Sequence, residues 1–498
     1  MARCPWLAVV LAALFVLTGA PASAQDGRSL VIEPFTLRGF DGVETAAELG
    51  RLSVPANRGV PDGATIEIAF VRLPSTGGRP GPPIVFLAGG PGVPGIVMGQ
   101  VPPYRELFER LREVADVILL DQRGTGRSSP SLDCPADASL PADALLDEEH
   151  GLAALLPPLE ACAARLRAEG VEPADYTTTA SAGDIEDLRV ALGAERVSLL
   201  GFSYGTELAL AYVRNHGDAV DRIVLASLRP PWSVVKLPST YDRVIAALSR
   251  LAARDPAAGI LDFEGALRRS LDRLGAEPAV VTVTDRKTGA AVDLQVGRLG
   301  LQAILQGALA DGRRMTGAVA MVTALDRGEG ELFRREVEGL YNSLSGGIGM
   351  MGIAMNCSAG WSDERRALAT EEARTALLGD TPNLMLAPAA CRVAGDPDLG
   401  PGYREPVQSD RPALFLSGSL DPNAPAPQAE EALAGFPNGV HVVVENGSHE
   451  TLPAEEVQAL VADFLGGADV SGRAVTLPEP RFLSPAAVLE ALRAQGPQ

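Results

Sequence analysis

Short, wholly apolar runs alternate along this chain with segments whose apolar residues recur every three to four positions. Pro83-Ile84-Val85-Phe86-Leu87, Val117-Ile118-Leu119-Leu120, Arg196-Val197-Ser198-Leu199-Leu200 and the runs at 222–226, 413–417 and 440–444 are short and have no polar face. Such runs are strands buried on both sides. Their alternation with helix-like stretches at 105–114 and 206–212 predicts an α/β protein, a mostly parallel sheet with helices on both faces. Ahead of them, 45–73 alternates polar and apolar residues around Pro61-Asp62-Gly63, the pattern of an antiparallel strand pair. Between about 230 and 401 the buried runs stop, and 241–253, 263–274, 299–325 and 364–378 take helical spacing, with one hairpin pattern at 280–296. This block reads as a mainly helical cap inserted into the sheet domain and entered at Pro230-Pro231. The expected division is a sheet core of 25–230 and 401–498 and a cap of 231–400. The glycine-rich run 346–352 within the cap fits either a mobile loop beside a pocket or a plain connection between helices.

The first residues set the compartment. Arg3, the apolar stretch 7–17 and Ala22-Ser23-Ala24 before Gln25 form the pattern of an export signal spanning 1–24, too short to cross a bilayer as an anchor. An exported bacterial protein, periplasmic or extracellular, is therefore expected, with no stable membrane insertion once the signal is gone. Removal of Cys4 with the signal leaves Cys134, Cys162, Cys357 and Cys391, an even number in an oxidising compartment. Of the three possible connectivities, Cys134 with Cys162 and Cys357 with Cys391 is favoured, because each pair closes a moderate loop within one region. The formal net charge of −20 argues against nucleic acid and anionic membranes as partners. With four histidines and no cysteine at metal-ligand spacing, no metal site is expected.

The chemistry lies just after the strands. Gly201-Phe202-Ser203-Tyr204-Gly205 is a weak pattern by itself in a chain with 53 glycines, but here a buried strand precedes it and a helix follows. That context makes a nucleophile elbow, a strained turn projecting the Ser203 hydroxyl, with the amide of Tyr204 turned towards any oxyanion that forms. The Gly89-Gly90-Pro91-Gly92 loop after an earlier strand supplies a second amide, near Gly90. A serine of this kind needs a base and an orienting acid. His449, in Asn446-Gly447-Ser448-His449-Glu450, follows the last strong strand; His441 falls inside that strand, and His150 and His216 fall on surface segments. Asp421 follows the preceding strand, and Glu445, at a strand end, is the rival acid. Asp121-Gln122-Arg123-Gly124-Thr125-Gly126-Arg127-Ser128 reads as structural support beside the elbow. No cofactor is required by this set.

Taken together, the Gly-Gly-Pro-Gly loop, the Asp121 to Ser128 segment, the Gly-Phe-Ser-Tyr-Gly-Thr elbow and the late Ser417-Gly418-Ser419-Leu420-Asp421-Pro422 and Gly447-Ser448-His449 segments resemble the prolyl aminopeptidase and exported tripeptidyl aminopeptidase branch of the α/β-hydrolases, over about 45–465. The resemblance implies an α/β-hydrolase sheet under a helical lid, hydrolysis through an acyl-enzyme, and a small peptide substrate cut from its amino end. Two departures stand out. Ala88 replaces a histidine common in prolyl aminopeptidases, and Asn356-Cys357-Ser358-Ala359-Gly360 lacks the acid expected two positions after the cysteine. An exopeptidase holds its substrate's ammonium with carboxylates, and Glu364, Glu371 and Glu372 are the nearest acids to that gap. A carboxylic-ester hydrolase with the same triad therefore stays open as the second reading. A hydrolase-fold binding protein without turnover is disfavoured because all three triad positions are filled, and dehalogenase or epoxide-hydrolase chemistry would need an acid in place of Ser203.

Overall fold

The computed structural model describes residues 29–60, 62–134, 139–255 and 258–494. The expected signal segment and Cys4 lie outside the described residues. Ten strands form one sheet: β1 (Leu30–Arg38), β2 (Glu44–Pro55), β3 (Thr65–Leu73), β4 (Ile84–Leu87), β5 (Val117–Leu120), β6 (Val197–Phe202), β7 (Val220–Ala226), β8 (Ala413–Gly418), β9 (Gly439–Glu445) and β10 (Val475–Thr476). Their spatial order is β1-β2-β3-β5-β4-β6-β7-β8-β9-β10. The first three strands and the β3–β5 contact are antiparallel, and every pair from β5 to β10 is parallel.

Residues of the apolar runs point alternately to two cores. Val85, Leu87, Ile118, Leu120 and Leu199 join the cluster under helices Glu148–Ala168, Thr178–Ala191 and Tyr204–His216. Ile84, Phe86, Val117, Leu119 and Leu200 join the opposite cluster, under Pro102–Leu111 and Glu455–Leu465. Every residue of β4, β5, β6 and β8 is buried, so these strands have no polar face. β1 differs: it is an edge strand with most positions exposed and with Pro34 in its middle, which hid it among the alternating patterns.

Between β7 and β8 the chain leaves the sheet. Ser239–Ala253, Phe263–Ala276, Arg298–Ala310, Met315–Asp326 and Glu331–Leu344, with the hairpin Ala279–Thr284 and Ala291–Val296, enclose a third apolar cluster built on Tyr241, Leu248, Phe263 and Val322. The single helix expected over 299–325 is two, because residues 311–314 turn: the Asp311 carboxylate accepts from the Arg313 amide at 2.8 Å, and the Asp311 carbonyl accepts from the Arg314 amide at 3.0 Å. Three segments pack across the boundaries drawn from sequence. Met350–Ala359 and Pro388–Val393 contribute Met355, Cys357 and Cys391 to the sheet-side cluster, whereas Phe482 and the helix Pro485–Ala494 pack onto the insertion. The glycine-rich run 346–352 is neither open loop nor simple linker: Ile348–Gly349 pairs antiparallel with Asp133–Cys134, and a helix starts at Met350. Cys134 is joined to Cys162 and Cys357 to Cys391, each with Cα atoms 5.5 Å apart, so one bridge fastens that pairing and the other fastens two helices of the returning chain.

Arg123 carries no exposed surface and explains the support segment. Its Nε and Nη2 donate to the two Asp184 oxygens at 2.8 and 2.7 Å, and Nη1 donates to the Ala56 carbonyl at 2.9 Å. Arg58 donates to Asp184 as well, at 2.5 Å. The loop after β5, the helix before the elbow and the end of β2 are thus tied by one buried ion pair. Asp184→Ala leaves that guanidinium buried without its carboxylate and is expected to cost about 3–5 kcal/mol of stability, measured as a fall in the urea midpoint; an unchanged midpoint would contradict the assignment.

Candidate active site

Ser203 occupies the one-residue corner between β6 and the helix Tyr204–His216, at φ 53° and ψ −121°. That conformation is uncommon for a residue with a side chain, and it is held by what surrounds it. The Ser203 amide donates to the Ala226 carbonyl at 2.9 Å, and the Ser203 carbonyl accepts from the amide and the hydroxyl of Thr206 at 2.9 and 2.5 Å. The two glycines of the motif serve close approach. A Cβ at Gly201 would stand 2.6 Å from the Gly205 carbonyl oxygen, and one at Gly205 only 1.9 Å from the Leu87 carbonyl oxygen. The helix can therefore cross directly over the end of β4.

The candidate base and acid arrive from the next strands of the sheet. His449 follows β9, and its Nε2 lies 2.9 Å from Ser203 Oγ while its Nδ1 lies 2.8 Å from Asp421 Oδ2. A carboxylate only accepts, so Nδ1 carries the proton and Nε2 is free to accept from the serine hydroxyl. Asp421 is fully buried after β8, and its Oδ1 accepts from the amides of Asn423 and Ala424 at 2.8 and 3.0 Å. Burial pushes this carboxyl up, but His449 and the two amides outweigh it, and the group sits below its ordinary range. The Ser227 hydroxyl donates to the His449 carbonyl at 2.5 Å, and the ring of Phe202 lies 5.4 Å from the imidazole. Gly418 allows β8 to pass the histidine loop, since a Cβ there would meet the Ser448 carbonyl oxygen at 2.1 Å.

The other residues singled out from sequence separate cleanly. Tyr204 opens the elbow helix, so its N–H belongs to the first turn, where amides have no acceptor within the helix. Gly90, at φ +108°, lines the same cavity as Ser203, and a Cβ at Gly89 would lie 3.0 Å from Ser203 Cβ. Glu445 is exposed at the end of β9 and pairs with Thr476 in β10. His441 faces Ser417 at 3.0 Å, His150 faces Asp147 at 2.7 Å, and His216 stacks by Tyr212. The acids near the cap gap are not brought to the cavity: Glu364 is exposed, Glu371 pairs with Arg374, and Glu372 accepts from the Ser239 amide. Ala359 is itself buried in the sheet-side core.

A cavity of about 280 Å³ opens over Ser203, and its lining adds four polar residues given no role from sequence: Arg229, Lys236, Asn423 and Glu450. Burial and the nearby Asp311 hold the Glu450 carboxyl above its ordinary range, against the opposing pull of Arg313 and His449. Adjacency to His449 was the only signal for Glu450 in the sequence, and Arg229 and Lys236 had none.

Residues 82–271 match the family described as α/β hydrolase fold, and 381–474 match the TAP-like protein family. The chain belongs to the α/β-hydrolases. Within them it stands in the branch of the TAP-like proteins and prolyl aminopeptidases. The serine protease Hip1 of Mycobacterium tuberculosis is 30% identical over 184 residues, 35% of each chain. The proline iminopeptidase of Neisseria gonorrhoeae is 29% identical over 162 residues, 32% of this chain and 37% of that protein. The alignments thus span about a third of the length of these curated relatives. A solved proline iminopeptidase of Mycobacterium smegmatis aligns over 83% of this chain and 96% of its own, with 17% identity and a TM-score of 0.37.

Gly205→Ala is expected to abolish the crossing over Leu87. Because the clash is with backbone, the variant should lose several kcal/mol or fail to fold, measured by its thermal midpoint against the parent chain; a normal midpoint would show that the helix can shift away.

Proposed function

We propose that the chain is a serine hydrolase that cleaves amide bonds of short peptides from the amino end through an acyl-enzyme. The reading is carried by the relay from Asp421 through His449 to Ser203, with both hydrogen bonds under 3 Å and the serine opening onto the cavity. His449 takes the hydroxyl proton as Ser203 attacks the carbonyl, and Asp421 fixes the tautomer and stabilises the imidazolium. The amides of Tyr204 and Gly90 are the oxyanion donors, each worth about 3–4 kcal/mol in comparable sites. His449 then returns the proton to the leaving amine, and water releases the acyl group by the reverse sequence. The names of the relatives, a serine protease and a proline iminopeptidase, favour a peptide over an ester as the acyl donor.

The ammonium of such a substrate needs a carboxylate, and Glu450 is the one in the cavity wall besides the relay. An ammonium beside it would compensate the burial that now disfavours its charged form. Residues 231–400 form the lid in this proposal. The turn at residues 311–314 reaches the catalytic loop, since a Cβ at Gly312 would lie 2.9 Å from Ser448 Oγ and Arg313 lies 3.8 Å from Glu450. Export is part of the same proposal, supported by the two disulfides, and no described helix is long and apolar enough to cross a membrane.

Ser203→Ala should reduce kcat by about 10⁶-fold and Asp421→Asn by about 10⁴-fold in folded protein, read with aminoacyl and tripeptidyl arylamides. Near-normal turnover in Ser203→Ala would end the assignment. Free-amine arylamides should be cleaved and their acetylated forms spared, with Glu450→Gln raising KM for the former. Turnover of short acyl aryl esters without any arylamide activity would favour the ester reading instead. Sequencing of the exported chain should begin at Gln25.

A further inference from the structure

The cavity beside Ser203 holds a cation that nothing in the relay uses. Lys236 is one of two lysines in the whole chain, the other being Lys287, and it lies in the segment that leaves β7. Its backbone is clamped: the Lys236 amide donates to Asn383 Oδ1 at 2.8 Å, and its carbonyl accepts from Asn383 Nδ2 at 2.9 Å. Its ammonium donates to Asn423 Oδ1 at 2.8 Å, and Asn423 Oδ1 also accepts from the Tyr241 hydroxyl. An ammonium has three protons to donate, and one amide oxygen takes one of them. Among the described residues no carboxylate forms an ion pair with it.

Arg229, its neighbour in the wall, is balanced. Nη2 of Arg229 pairs with Glu207, whose other oxygen accepts from the Tyr403 hydroxyl at 2.8 Å. Nη1 donates to Asn356 Oδ1 at 2.6 Å, and the guanidinium lies 5.1 Å over the Tyr204 ring. Only its Nε is buried without an acceptor. The remaining charges at the cavity are the Asp421–His449 pair and Glu450, which has Arg313 at 3.8 Å. With the imidazole neutral, the Asp421–His449 pair carries one negative charge, which acts on Lys236 only through space; the ammonium itself has no carboxylate hydrogen-bonded to it among the described residues. A half-buried cation with no carboxylate in contact is costly to a fold, and such groups gather where a ligand supplies the partner.

We propose that Lys236, flanked by Arg229, forms an acidic-acyl subsite: the residue whose carbonyl Ser203 attacks carries a side-chain carboxylate, as an aspartyl or glutamyl residue does. The proposal rests on the acyl-enzyme reading above. Within it, Glu450 and Lys236 give the cavity opposite charges, matching the ammonium and the side-chain carboxylate of an amino-terminal acidic residue. Burial and the Arg229 guanidinium pull the Lys236 ammonium down to about 8, with Asp421 acting the other way, so at neutral pH it is charged.

The test is a ratio. Glutamyl and glutaminyl arylamides are compared by kcat/KM, and glutarate half-esters and neutral butyrate esters of the same phenol are compared in parallel. The native enzyme should favour the acidic member at least tenfold, and the ratio should decline as pH rises through about 8. Asp421, His449 and Tyr241 serve both members of each pair, whereas Arg229 and Glu450 also face the acyl side chain, so the change of the ratio on replacing Lys236 isolates the lysine. Lys236→Met and Asn423→Asp, which supplies an internal counter-charge, should each bring the ratio towards one. Because the fold holds the lysine below its unfolded pKa, its charged form is the destabilising one below that value, and Lys236→Met should raise the thermal midpoint at pH 7. A lysine kept for structure would lower it. A ratio near one in both native series, or one unchanged in Lys236→Met, overturns the subsite. A preference for the half-ester with no arylamide cleavage overturns the peptidase reading and leaves the subsite standing.

Discussion

A side-chain carbon at residue 205 would stand 1.9 Å from the carbonyl oxygen of Leu87, and the site depends on that lack of space. With glycine there, the elbow helix passes over the end of β4, which brings the Gly89-Gly90 turn against Ser203. Strand order does the rest: β6, β7, β8 and β9 are consecutive neighbours, so serine, cavity cations, acid and histidine leave adjacent strands at the same edge. In an open parallel sheet this edge is where sites form, because the loops there diverge and leave a crevice.

The electrostatics follow from how deeply each charge is set. Asp421 has no exposed surface and would be protonated more easily were it not for two backbone amides and the imidazole. Its orientation is therefore fixed before any substrate arrives, and the histidine tautomer with it. Arg123 and Asp184 use the same device for structure, pairing in a bidentate geometry where both are buried. One pair orients the His449 imidazole and the other locks a helix. Both sit in low-dielectric surroundings where an unmatched partner would be costly.

Much of this was legible in the sequence, and the limits have physical causes. Strands such as Val117–Leu120 announce themselves because burial on both faces leaves no polar residue. Ser203, Asp421 and His449 could be picked out because each follows such a run, and the structure brings His449 within hydrogen-bond distance of both Ser203 and Asp421. β1 was hidden by its exposure and Pro34, and the break at residues 311–314 by apolar spacing that continued through a turn. Met350–Ala359 has apolar residues on all sides, so periodicity cannot say which core it joins. The packing of Phe482 and Pro485–Ala494 on the insertion is a tertiary contact between distant segments, for which local pattern carries no signal.

The cavity's charge pattern was hidden for the same reason, and it alters what the missing cap acid means. Looked for along the chain, a carboxylate two positions after Cys357 is absent, which leaves an ammonium without an anchor in that segment. In space, position 359 is packed into the sheet-side core, while Asn356 reaches Arg229. The Arg229 guanidinium needs acceptors, and a carboxylate at residue 356 would add a second negative charge beside Glu207. Arg229, paired with Glu207, and Lys236 line one cavity, and Glu450 lines it from the histidine loop. A carboxylate at position 359 would therefore be buried in that core and away from the cavity lining, so the acid sought along the chain is not one this cavity lacks.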